Sequence, residues 1–93
     1  MVIYLLALIF SLFYQTDMNK YSKAIAGYLA KSDITQIAFA VSINKSAVAV
    51  HRYVQGHRFP DAKTAKAISK ATGGKIPFEA WEAVAKQRMG ISA

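Results

Sequence analysis

His51, Arg52 and Gln55 are the side chains of this chain with the most to offer a partner, and they lie close together. On a helix, residues at such spacings share one face. Imidazole, guanidinium and carboxamide groups hydrogen-bond both planar heterocycles and phosphates. A short helix that displays them, with small residues on another face, has the layout of a helix that enters a groove of DNA. No comparable set exists for catalysis. His51 and His57 are six apart, which is not a helix-face spacing for metal ligands, and no carboxylate cluster accompanies them. No Gly-rich phosphate loop is visible, nor a serine or lysine nucleophile beside a base. The expectation is a binding protein, not an enzyme, with no catalytic residue, metal, cofactor or small-molecule substrate.

Charge narrows the class of partner. The chain has 93 residues and a formal net charge of +7, with 12 Lys and Arg against 5 Asp and Glu. All the basic residues lie from Lys20 onward, where the acidic ones are Asp33, Asp61, Glu79 and Glu82. So basic a unit points to a polyanion: nucleic acid or an anionic membrane surface. The length suits one small domain, and 54% hydrophobic residues suffice for a modest packed core. With no cysteine, disulfides and thiolate metal sites are excluded.

Five helices are expected to position the polar set. Tyr21, Ala24, Ile25, Tyr28 and Leu29 keep the spacing of one apolar helix face, with Asn19 as N-cap and an end near Lys31. Gly27 sits inside this helix. Thr35 caps a second, short helix to about Ser42, with Phe39, Ala40 and Ile43 inward. Asn44 suits the left-handed conformation of a sharp turn. Ser46 caps a third helix that ends before Gly56. There Val50 and Tyr53, with Ala49 and Val54 as further candidates, face inward, leaving Ala47, Val48, His51, Arg52 and Gln55 outward. Asp61 caps a fourth helix over about 62–72, with Ala65 and Ile68 inward and Lys63, Lys66 and Lys70 as a cationic face. Gly73 and Gly74 stop it. Pro77 precedes a fifth, over about 78–88, whose apolar side is Phe78, Trp81, Val84 and Ala85.

Residues 1–17 form a separate N-terminal extension, and residues 18–93 the domain. The run MVIYLLALIFSLFY is uncharged but shorter than the roughly 20 residues that span a bilayer as a helix. It lacks a basic leader and a small-residue cleavage site, so it fits a secretory signal poorly. Three readings stay open: an extension ahead of a true start at Met18, a short membrane anchor, or a helix packed on the domain or on a partner. In the anchor reading, Lys20 and Lys23 hold the domain on the cytoplasmic side.

Residues 35–56, TQIAFAVSINKSAVAVHRYVQG, resemble the helix-turn-helix of the lambda-repressor and Cro-like DNA-binding family. The family's usual run is T/S-Q-x-x-L-A-x-x-L-G-V-S-x-x-x-V-S-x-W-x-x-G. Thr35 and Gln36 match its opening pair, and Phe39, Ala40 and Ile43 its leucine, alanine and second leucine. Asn44 stands for its glycine, and Ser46, Val50, Tyr53 and Gly56 match later positions. Lys45 replaces an apolar residue, its stem either buried with the ammonium reaching out or the turn slightly altered, and His51 replaces a common serine. FPDAKTAKAISKATGGKIP is similar to the fourth helix and exit of small phage-type regulators, the YdaS-like group among them. The resemblance covers about residues 20–82.

The resemblance implies an all-α, five-helix lambda-repressor-like fold and sequence-specific binding of double-stranded DNA in the major groove. It implies a transcriptional regulator, whether repressor, Cro-like switch or antitoxin, acting as a homodimer on a two-fold operator in the cytoplasm, at the nucleoid. In that frame Gln36 lies near a phosphate or base edge. Ala47 and Val48 meet thymine methyls, Arg52 grips guanine and Gln55 pairs with adenine. His51 lies on the same face. Lys45, Ser46, Arg58 and Lys63 contact phosphates.

Each role has a plainer competitor. Arg52 and the lysine face of the fourth helix also read as solvated charge. His51 also reads as a spacer. Val48 becomes core if the third helix rotates by one position. The Phe78, Trp81 and Val84 stripe reads as core or dimer interface. At the level of the whole protein, the rivals are a membrane-anchored basic interaction protein using the apolar N-terminus, and a helix-turn-helix fold serving protein contacts alone.

Overall fold

A computed structural model describes residues 18–89; the apolar run 1–14 and its three readings lie outside them. The described residues form five helices and no strand: α1 Lys20–Ser32, α2 Gln36–Ser42, α3 Ala47–Gln55, α4 Ala62–Ala71 and α5 Phe78–Arg88. None is long and apolar enough to cross a membrane.

Side-chain chemistry at the boundaries sets these limits. A helix start leaves backbone N–H groups without partners, and a short polar side chain just ahead accepts one. Asn19 Oδ1 accepts from Ser22 N at 2.8 Å, and Thr35 Oγ1 from Ala38 N at 3.1 Å. Ser46 Oγ accepts from Ala49 N at 3.0 Å, and Asp61 Oδ1 from Thr64 N at 2.8 Å. α5 follows Pro77 and has no side-chain cap.

The helix ends share a second device. Asp33, Asn44, Gly56 and Gly73 take φ of 54°, 57°, 77° and 62° after α1, α2, α3 and α4. In each case the next N–H reaches back to a carbonyl of the last turn: Ile34 to Leu29, Lys45 to Ala40, His57 to Arg52 and Gly74 to Ser69, at 2.8–3.0 Å. A left-handed residue followed by this long hydrogen bond reverses the chain and satisfies a terminal carbonyl. Asp and Asn tolerate this region better than other non-glycine residues.

The core gathers one stripe from each helix. Tyr21, Ile25 and Leu29 of α1 meet Phe39, Ala40 and Ile43 from α2 and its end, and Ala49, Val50 and Tyr53 of α3. Ala65 and Ile68 of α4, Ile76 of the following loop and Val84 of α5 complete it. α3 packs on both α2 and α1, while α5 packs on α4 and α1. Helix α3 is therefore held from two sides.

One feature of α1 differs from expectation. Ala24 is exposed, because the stripe is centred on Tyr21, Ile25 and Leu29 with Ser22 buried beside it. Ser22 is buried at little cost because its Oγ donates to Asn19 O at 2.9 Å. The Tyr21 hydroxyl, by contrast, is buried with no hydrogen-bond partner among the described residues. Burial disfavours its phenolate and pushes its pKa well above the ordinary tyrosine range.

Candidate nucleic-acid interface

The polar set of α3 stands on the side of the helix away from the core. Ala49, Val50 and Tyr53 are buried, while Val48, His51 and Arg52 are exposed and Ala47, Val54 and Gln55 half-buried. Val48 is 59% exposed, so the helix is not rotated in the way that would make it core. The face is rigid at both ends. Ser46 fixes the first turn of α3, and Gly56 with His57 ties off the last.

Gln36 is brought to this face by the packing of α2 on α3. Its Oε1 lies 3.2 Å from His51 Nδ1, joining the first residue of α2 to the middle of α3. The two are 15 apart in sequence, and the sequence reading placed both without linking them. Ser46 is exposed, but its hydroxyl oxygen is engaged as the cap of α3, leaving its O–H to offer a partner.

The candidate phosphate contacts fall into two groups. Lys45 and Lys63 line one groove between the α2–α3 turn and α4, together with Ile43, Asn44, Thr64 and Ala67. The Asp61 carboxyl is held below the usual carboxylate range, first by hydrogen bonds from the Thr64 side chain and backbone, then by the charges of Lys45 and Lys63. Arg58 sits in the loop after α3, and its N–H, like that of His57, donates to Arg52 O. That loop is anchored in turn. Phe59 stacks on Trp81 at 5.6 Å and meets the edge of Tyr21, and Trp81 Nε1 donates to Pro60 O at 2.7 Å.

The chain matches no protein-family model, no curated protein and no solved structure.

Residues 34–60, which span α2, α3 and both flanking turns, contain no Asp or Glu but hold Lys45, Arg52, Arg58 and two histidines. Such a surface favours an anion. Lys63, Lys66 and Lys70 of α4 are all exposed as expected. Lys66 is engaged elsewhere, its Nζ lying 5.4 Å from the centroid of Phe78. Phe78 and Trp81 are half-buried and stack at 5.2 Å, so the aromatic stripe of α5 is a partly covered part of the core margin. Sequence reasoning missed the exposed apolar pair Ile37 and Val41, 68% and 77% exposed on α2. Among the described residues, no three His, Cys, Asp or Glu side chains gather into a group that could hold a metal.

Proposed function

We propose that this protein binds double-stranded DNA in the major groove through a lambda-repressor-like helix-turn-helix formed by α2 and α3. In this reading it is a phage-type transcriptional regulator, of the repressor, Cro-like or antitoxin-like kind. The observation that carries the reading is the outward face of α3. It is a capped, doubly supported helix that exposes His51 and Arg52 beside half-buried Gln55, on a stretch of chain free of acidic residues. An α-helix fits the major groove, and there a guanidinium and a carboxamide pair bidentately with guanine and adenine. Ala47 and Val48 are small apolar groups suited to thymine methyls. Lys45 and Lys63, which share one groove, and Arg58, in the loop after α3, would neutralise phosphates.

A single module of this size has limited contact area, so the working unit is a homodimer on a two-fold site. Selection of bound sequences from a random duplex pool, at two salt concentrations, tests binding and yields the site. Arg52→Ala should weaken the selected site by about 5- to 150-fold and relax preference at one base pair. Unchanged affinity and preference would remove Arg52 from the interface, and absence of salt-sensitive duplex binding would overturn the reading.

A further inference from the structure

We infer that Gln36 fixes the proton of His51 on Nδ1, so that His51 presents Nε2 as an acceptor and reads an exocyclic amino group, adenine N6 or cytosine N4. The inference rests on the DNA-binding reading for its ligand, but not for its first step. Gln36 Oε1 is a carbonyl oxygen and can only accept; at 3.2 Å, the hydrogen bond requires His51 Nδ1 to donate. A neutral imidazole carries one ring proton, so Nε2 is left with a lone pair. No hydrogen bond among the described residues uses that nitrogen, and His51 is exposed.

The placement of Gln36 makes this a property of the fold. Gln36 opens α2 directly after the Thr35 cap, it is half-buried, and α2 packs along α3. The carboxamide therefore reaches His51 from a fixed neighbour. On α3, His51 has Val48 and Gln55 as same-face neighbours at spacings of three and four, with Arg52 about 100° round the helix. In the major groove only adenine N6 and cytosine N4 donate, whereas guanine and thymine present acceptors that repel a lone pair. Arg52 offers only donors, so it and His51 would read complementary base edges from one helix.

Two measurements test this on the full chain. The first is the ¹⁵N NMR signature of the His51 ring without DNA, recorded well above the imidazole titration range. The expected result is protonated Nδ1 and bare Nε2, with Gln36→Ala shifting the population toward the Nε2–H form. A wild-type ring protonated on Nε2 overturns the inference whatever the protein binds. The second uses the selected duplex with single adenines replaced by purine, or single cytosines by an analogue lacking the amino group. One replacement should weaken the wild type about three- to tenfold, the effect of a single hydrogen bond, and leave His51→Ala unaffected. Duplex binding in which every replacement that weakens the wild type weakens His51→Ala equally, as loss of an adenine read by Gln55 would, or in which no replacement has an effect, overturns the inference and leaves the proposed function standing. If no duplex binds, the proposed function and the base reading fall together, and the ring spectrum alone decides whether Gln36 sets the tautomer.

Discussion

Replacing Tyr21 with Phe removes one oxygen atom and should stabilise the protein. The ring is 1% exposed and its hydroxyl has no partner among the described residues, so folding strips water from a polar group and returns nothing. Leaving such a group unsatisfied costs about 1–3 kcal/mol. Against this stands the void left by the oxygen. If nothing relaxes, roughly 10 Å³ at 24 cal/mol per Å³ is about 0.2 kcal/mol. The edge-on contact with Phe59, at 6.1 Å between centroids, survives in the variant. The net gain is about 1 kcal/mol or somewhat more, a rise in Tm of about 4–8 °C per kcal/mol for a domain this small. Urea melts of wild type and Y21F should show a higher midpoint at unchanged slope. Alkaline pH adds an independent check. The Tyr21 pKa is raised in the folded state, so the unfolded chain loses this proton first. Its contribution is intact below the ordinary tyrosine value of about 10 and is lost as pH rises above it. Phe suffers no such loss, so the advantage of Y21F should widen above about pH 10. A variant less stable by about 0.5 kcal/mol or more at neutral pH, well short of that expected gain, would refute the reasoning, because the hydroxyl would then have to be satisfied.

Two glycines should respond with opposite signs. Gly27 lies inside α1 with nothing within 4 Å of an added Cβ, so Gly27→Ala should raise stability by up to about 1 kcal/mol in a thermal melt. Gly56 sits at φ 77°, where an added Cβ is strained, and Gly56→Ala should cost about 1–2 kcal/mol. Asp61→Ala removes the cap of α4 and should cost about 1 kcal/mol at neutral pH. The Asp61 pKa is depressed in the folded state, so its contribution is present above the ordinary aspartate value of about 4 and is lost as pH falls through the folded value. Urea midpoints of wild type and variant should therefore converge in acid; a constant gap would show that the carboxylate is not what caps the helix.

The elements were legible where the chain's local chemistry is self-sufficient. Asn19, Thr35, Ser46 and Asp61 each precede an apolar helical pattern, and each accepts the N–H expected of an N-cap. Asn44 takes the left-handed conformation that its position between two short helices demands. Burial of polar groups was not legible. Thr72 is buried because its hydroxyl donates to Ile68 O and accepts from Ile76 N, closing a local circuit that no periodicity announces. Ser22 is buried on the stripe where Ala24 was expected for the same reason: a serine whose oxygen is satisfied within its own turn is no worse inside than an alanine. In the candidate interface, individual side chains could be named, but not their partners. The Gln36–His51 contact and the Phe59–Trp81 stack join residues from different elements and exist only once the helices are packed.

That stack has an optical consequence. Trp81 is the only tryptophan of the chain, and it lies between Phe59 and Phe78 with its indole N–H on Pro60 O. Lys66 and Arg88 set cationic groups over the two phenylalanine rings. The protein's tryptophan fluorescence therefore comes from one joint, where the loop leaving α3 meets α5. Indole emission responds to solvent and to neighbouring charge, so a detached α5 changes the spectrum even while α1, α2 and α3 stay packed. An undisturbed spectrum, conversely, certifies that the loop bearing Arg58 is still seated.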